Sequence, residues 1–337
     1  MSKNNASERK LWQIVTDHPD IFDTHVVTKL NGNDVKFFYD VNTESRAAIQ
    51  RSGARLPDAF KIGEFHTKST LSWALEKCSE KRERFCAEMA ENGNVGLLKF
   101  LRGKGCPWSA KTCSHAAHNG HLECLKYAYE NGCPWDEETC WRAAYNGHLE
   151  CLKYAHENGC PWDWRICAQA AEHGHLECLK YAHENGCPWN GCTYSWAAIN
   201  GQLECLQYAH ENECPWDKRT CSNAALEGQL ECLKYARENG CPWDYRTCSS
   251  AASRGQLKCL KYLHENGCPW DYRTCSAAAL EGQLECLKYA HENGCPWDYR
   301  TCDNAAKYYE WYDNLECFKY AHENGCPGSS SHSYLLF

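Results

Sequence analysis

The sequence lacks several features that define common functional classes. It has no run of about 20 apolar residues, which a membrane-spanning helix would need, and its mean hydropathy is −0.69. The first ten residues, MSKNNASERK, lack the apolar core of a secretory signal peptide. An excess of basic residues is also missing, since 36 Lys and Arg stand against 44 Asp and Glu. We therefore expect a cytoplasmic or nuclear monomer without a membrane segment, and nucleic-acid binding is not favoured.

Methionine is scarce, with 2 residues, whereas cysteine is abundant, with 27. In a short secreted chain this density would indicate a disulfide framework. Here the cysteine count is odd, there is no export signal, and the thiols recur at regular intervals. Reduced cysteines are therefore the preferred interpretation.

An internal repeat of 27 residues dominates the sequence. It is marked by evenly spaced cysteines that are each followed by Pro-Trp: Cys106, Cys133, Cys160, Cys187, Cys214, Cys241, Cys268 and Cys295. A ninth, Cys326, follows after 31 residues, because 307–314 carry an insertion. The register also extends upstream to Cys86, so we predict nine repeats over 79–327.

The residue pattern of each repeat predicts two short helices, as repeat three (136–162) shows. Asp136 is suited to cap the first helix, helix A, and Gly147 to end it in a left-handed conformation. Leu149, Leu152 and Ala155 form the apolar stripe of the second, helix B. Helices of about eleven residues are unstable alone, so stacking must supply the core.

The predicted fold is therefore all-α, an α-solenoid of about nine stacked helix–turn–helix repeats. A small N-terminal helical domain is expected over 1–78, and a disordered tail over 328–337. The domain would shield the open end of the repeat array.

The segment Gly147–Cys160, GHLECLKYAHENGC, resembles the second half of an ankyrin repeat, and Thr139 with Ala143 and Ala144 resembles its first helix. The resemblance implies protein–protein recognition, with no enzyme activity and no cofactor. An ankyrin repeat has about 33 residues and a β-hairpin finger. Six residues are missing here, so we expect no projecting hairpin.

A second resemblance lies upstream. Residues 18–50 resemble an F-box, with Pro19-Asp20, Leu30 and Val41 in the corresponding places. This resemblance implies docking on Skp1, the adaptor of a ubiquitin ligase. The alternative is that the segment only caps the solenoid.

Thiol-based metal binding is an alternative function. Cysteines within a repeat are spaced seven, eleven and nine residues apart, unlike the close pairs of structural zinc sites. Cys151 and Cys160 also occupy small, buried positions of the ankyrin pattern, where free cysteine packs as an apolar residue. We therefore predict core cysteines and no metal site. Cys192, which lies two residues before the usual helix A position, is the expected reactive thiol.

The histidines recur too often for a single catalytic constellation. One series alternates with glutamine, as in His175 and Gln202, which favours a hydrogen-bonding role. The other, which includes His156 and His183 near the end of helix B, is predicted to be exposed to solvent.

The partner surface is expected along helix A, at positions whose residues differ from repeat to repeat while the rest of the pattern is constant. The tryptophans of Cys-Pro-Trp should wedge between repeats, and the arginine series ending at Arg300 should pair with the cap aspartates. Single-stranded nucleic-acid binding through the Arg, Tyr and Trp series is the remaining alternative. The candidate partner-binding residues are Trp141, Arg142, Tyr145, Trp164, Arg165, Trp196, Lys218, Arg219, Tyr245, Arg246, Tyr272 and Arg273.

Overall fold

The computed structural model describes residues 67–77, 82–217, 219–307 and 312–327. These residues form 19 α-helices and no strand. The helices are α1 Lys68–Lys77, α2 Arg82–Glu91, α3 Val95–Gly103, α4 Ala110–His118, α5 Leu122–Glu130, α6 Glu137–Tyr145, α7 Leu149–Glu157, α8 Arg165–Glu172, α9 Leu176–Glu184, α10 Gly191–Ile199, α11 Leu203–Glu211, α12 Thr220–Leu226, α13 Leu230–Glu238, α14 Tyr245–Ser253, α15 Leu257–Glu265, α16 Tyr272–Leu280, α17 Leu284–Glu292, α18 Tyr299–Lys307 and α19 Tyr312–Glu323. The all-α solenoid prediction is confirmed.

The chain forms two compact parts that divide between Thr139 and Cys140. In each part, the helices alternate as helix A and helix B of successive repeats. Helices A pack on one another, as α8 does on α10 and α16 on α18, and they also pack on the helix B of their own repeat, as α8 does on α9. The F-box-like segment 18–50 and the tail 328–337 lie outside the described residues.

Except for α19, which has 12 residues, the helices are shorter than the predicted eleven, with 9 residues in α7 and 7 in α12. Their ends explain the difference. In repeat three, the Asn158 side-chain amide donates to the Tyr154 carbonyl and closes α7. Gly147 has a φ of 74°, so the chain turns directly from helix A into helix B.

Repeats two to nine carry Ser, Asp or Asn at the position of Asp136, and the cap predicted there is confirmed in seven of these eight. In each, a side-chain oxygen accepts the amide N–H two residues later: Asp136, Asp163, Asn190, Asp217, Asp244, Asp271 and Asp298. Ser109 makes no such side-chain bond. This bond satisfies a helix amide that has no partner within the helix, so it fixes where each helix A begins.

The core consists of alanine, leucine and cysteine. In helix B of repeat four, Cys178, Leu179 and Ala182 are at most 1% exposed. Every described cysteine is buried except Cys192, which is half-buried, so the core-packing prediction is confirmed. Burial raises the pKa of Cys178 to about 12, which keeps this thiol protonated and unreactive.

The loop cysteines also fasten each loop to its own repeat. The Cys187 thiol donates to the carbonyl of Asp163 at 3.1 Å, and the Cys167 thiol points to the carbonyl of Cys187 at 4.0 Å. These weak bonds hold the Cys-Pro-Trp loop against the start of helix A.

Candidate partner-binding surface

Side-chain hydrogen bonds join three repeats to the repeat before them at the turn between helix A and helix B. The His175 Nε2–H donates to the Tyr145 carbonyl at 3.0 Å, and the Gln229 amide donates to the Ile199 carbonyl at 3.3 Å. The predicted hydrogen-bonding role of the alternating His and Gln is thus confirmed. In repeat nine, Asn314 takes this place and donates to the Leu280 carbonyl at 2.9 Å.

The second histidine series was predicted to be exposed to solvent, and this is wrong for five of its members. A hydrogen bond of 3.0 Å joins Nδ1 of His183 to the hydroxyl of Tyr208 in the next repeat. The imidazole also stacks on Trp189, with ring centroids 3.8 Å apart. The same bond joins further pairs: His156–Tyr181, His210–Tyr235, His264–Tyr289 and His291–Tyr320.

The loop tryptophans wedge between repeats as predicted. Trp189 presents its edge to Tyr208 of the next repeat at 6.2 Å, while its face lies on His183. Where arginine replaces the histidine, the stacking persists, because the Arg237 guanidinium lies 4.1 Å from the Trp243 ring. The recurring tryptophans of the Cys-Pro-Trp loops therefore serve to pack successive repeats together, and we call such packing residues the repeat frame.

Three of the candidate aromatics of repeats three to five lie on helix A, and Trp164 directly precedes it. Trp164 is 39% exposed. Trp141 meets Tyr145 edge-on at 6.1 Å, and Tyr145 in turn lies 4.0 Å from the ring of His173. Trp196 is half-buried. Trp141, Tyr145 and His173 thus form one aromatic cluster, and Trp164 is the most accessible of the four candidate aromatics.

Charged candidates complete this region. The Arg142 guanidinium lies 5.3 Å from the ring of Trp141. Beside His173, burial raises the pKa of the Glu172 carboxyl and lowers that of the His173 imidazole. Both shifts have the same cause, since burial disfavours the charged form of either group.

The arginines of repeats four and six pair with their cap aspartates, as predicted. Arg165 Nε donates to Asp163 at 2.9 Å, and Arg219 Nη2 donates to Asp217 at 2.9 Å. The Arg219 guanidinium holds the pKa of the Asp217 carboxyl below its usual range. Lys218, another candidate, lies outside the described residues.

In repeats seven to nine the arginines stack on tyrosines, and Arg273 also donates to its cap aspartate Asp271 at 2.6 Å. The Arg273 guanidinium lies 4.6 Å from the Tyr245 ring and 5.1 Å from the Tyr272 ring. We call this set the Tyr–Arg row: Tyr245, Arg246, Tyr272, Arg273, Tyr299 and Arg300. The candidate set omitted its last two members, although they occupy the same positions one repeat later.

Metal ligation finds no geometric support in the part of the chain that the structure describes. Those residues contain no group of three or more His, Cys, Asp or Glu side chains that could hold a metal ion. One close cysteine pair, Cys187 and Cys192, does occur in the sequence, but the Cys187 thiol donates to a backbone carbonyl.

None of the described helices is long and apolar enough to cross a membrane.

Comparison with known proteins fits this geometry. Residues 140–220 match the family described as ankyrin repeats (3 copies). This segment carries ankyrin repeats. The crystal structure of the human ASB11 ankyrin repeat domain is similar at 21% identity, covering 47% of this chain and 84% of that chain, with a TM-score of 0.41. The search of curated proteins gave no match. Ankyrin repeats indicate a protein–protein interaction scaffold.

Proposed function

We propose that this chain binds a protein partner along the helix A positions of its repeats. One observation carries the proposal. The described residues contain two exposed large hydrophobic side chains, Trp164 at 39% and Tyr299 at 47%, and both directly follow the cap of a helix A. The frame aromatics bond to neighbouring repeats, whereas these two are left at the surface. Exposed aromatic side chains are typical anchors of protein interfaces.

The partner and its site can be tested together. Tagged full-length chain is used for affinity purification with mass spectrometry, and the recovered partner is then assayed against the variant W164A/W196A. We expect this variant to lose the partner and to keep its helical circular dichroism, since both side chains reach the surface.

A matched control alters helix B. Glu150 and Glu177 are exposed there, each with about 70% of its side chain accessible. The variant E150Q/E177Q should retain the partner. Equal retention by both variants would show that the partner binds elsewhere.

A more specific version adds Skp1 as a second partner, through residues 18–50. Its support is the F-box-like pattern around Pro19 and Leu30. A pull-down of purified Skp1 by the full-length chain, and its loss in the variant L30D, would support this version. If the full-length chain fails to bind Skp1, the segment is a cap rather than a working F-box.

A further inference from the structure

The Tyr–Arg row is an ordered, exposed element that the repeat frame does not use. Arg300 repeats the arrangement of Arg273, because its guanidinium lies 4.7 Å from the Tyr272 ring and 5.6 Å from the Tyr299 ring. The Arg246 Nε–H donates to the Tyr245 hydroxyl at 3.3 Å. Each guanidinium therefore lies against tyrosine, and Arg273 and Arg300 each contact the rings of two successive repeats.

The residue before each arginine differs between the two groups of repeats. Where that residue is tryptophan or lysine, as in repeats four and six, the arginine turns back to its cap aspartate. Arg219 makes three side-chain bonds of 2.9–3.3 Å to Asp217. In contrast, the Arg300 guanidinium comes no closer to Asp298 than 3.9 Å. Arg273 combines both arrangements, because its Nη1 donates to Asp271 at 2.6 Å while its guanidinium lies against the rings of Tyr245 and Tyr272.

The stacked arginines retain donors for a ligand. A guanidinium has five N–H groups, and stacking on its face leaves the edge open. The Arg273 and Arg300 side chains are both 47% exposed. The cap aspartates meanwhile accept backbone amides at the helix start, as Asp271 does from Arg273 at 2.9 Å. The row thus offers the guanidinium N–H groups that these contacts leave over: the Arg273 Nη1 donates to Asp271 at 2.6 Å, whereas the Arg300 guanidinium comes no closer to Asp298 than 3.9 Å.

We infer that the Tyr–Arg row binds an extended acidic segment of the partner protein, an inference that rests on the proposed function. Packed helices lie about 8–10 Å apart, and an extended peptide advances about 3.3 Å per residue. One repeat therefore corresponds to about three peptide residues. A segment with a carboxylate at every third residue would place one on each arginine.

Charge favours a peptide over a nucleic acid. A cap aspartate accompanies every arginine of the row, and Glu281 is exposed on the same helix A series. A continuous phosphate chain would lie against these carboxylates, whereas a peptide can place neutral residues beside them. The bidentate fit of guanidinium to carboxylate supplies the recognition.

The test uses the full-length chain and a fluorescent peptide with glutamate at every third residue and serine or glycine between. We expect fluorescence polarisation to show binding that weakens as salt is raised. The variant R246Q/R273Q/R300Q should bind about ten-fold or more weakly, as expected for three surface ion pairs. The matched variant K180Q/K234Q/K288Q removes three helix B charges and should bind normally.

The tyrosines test the stacking itself. The variant Y245L/Y272L/Y299L keeps all three arginines and should lose affinity, whereas the corresponding phenylalanine variant should retain it because the rings remain. Equal binding of a peptide with glutamine in place of glutamate would overturn the inference. So would arginine-dependent binding of oligothymidylate that is tighter than binding of the peptide.

The partner found by affinity purification separates this inference from the proposed function. If that partner is lost by W164A/W196A but kept by R246Q/R273Q/R300Q, the scaffold function stands and the acidic-segment inference is wrong. If both variants keep it, both proposals are wrong. Loss of the partner from the arginine variant, with peptide binding lost in parallel, supports the inference.

Discussion

Replacing Gly147 with alanine tests whether the turn inside a repeat is locked by the next repeat. Gly147 has a φ of 74°, and a Cβ there would lie 2.4 Å from Nδ1 of His175. Gly159, in the same repeat, has a φ of 80°, and among the described residues no non-neighbouring atom lies within 4 Å of its Cβ position. G147A and G159A therefore share the same backbone strain, but only G147A displaces the His175 ring.

The expected losses follow from these contacts. Alanine in the left-handed region costs about 1 kcal/mol, so G159A should lower the free energy of unfolding by about that amount. G147A must also move His175, whose Nε2–H donates to the Tyr145 carbonyl at 3.0 Å. A hydrogen bond of this kind contributes about 1 kcal/mol. We expect a total of about 2 kcal/mol for G147A.

Urea unfolding followed by circular dichroism measures the total loss. Because repeat arrays do not always unfold in one step, amide hydrogen exchange in α8 and α9 gives the local free energy of opening. In the H175A background the ring is gone, so G147A should then cost no more than G159A. Equal losses for G147A and G159A in the wild-type background would refute the lock.

Three further predictions concern single side chains. Burial lowers the pKa of His175 from its ordinary 6.5. The stability that the neutral form contributes is therefore full above about pH 6.5 and is lost as the pH falls toward the folded pKa. The urea midpoint of H175Q should change less than that of the wild type between about pH 7 and pH 5. Tyr194 is fully buried and its hydroxyl has no hydrogen-bond partner among the described residues, so Y194F should be neutral or gain about 1 kcal/mol. Y194C should instead lose about 2–3 kcal/mol through a cavity, and comparable urea midpoints for the two variants would contradict this. Iodoacetamide followed by mass spectrometry should modify Cys192 before any other described cysteine, and earlier modification of Cys178 would disprove the burial argument.

The helix boundaries could be predicted because they depend on chemistry within a few residues. Asp244 accepts the Arg246 amide at 2.9 Å, which needs only the local turn. Gly255, with a φ of 69°, ends its helix for an equally local reason. Burial of cysteine and alanine also followed from the repeat, since a stripe recurring every 27 residues has to face the neighbouring repeat.

The contacts between repeats were harder to predict. His183 looks like an exposed residue near a helix end until Tyr208, 25 residues later, is placed beside it. Arg273 was expected to pair with Asp271 alone, and it does bond to it at 2.6 Å, but the ring of Tyr245 in the preceding repeat was not anticipated. Both partners lie one repeat away, so periodicity shows that they recur but not that they touch.

Tyrosine serves two opposite purposes in this fold. Tyr208 uses its hydroxyl on His183 and its ring on Trp189, and burial raises its pKa. Tyr272 uses its ring on Arg273 and Arg300, whose guanidinium groups lie at the surface. A change in the first kind of tyrosine removes bonds between repeats and must lower stability. A change in the second kind removes support from exposed cations, so it should alter binding while the unfolding midpoint stays the same. Measured together, stability and affinity therefore distinguish the frame of the repeats from the surface that meets a partner.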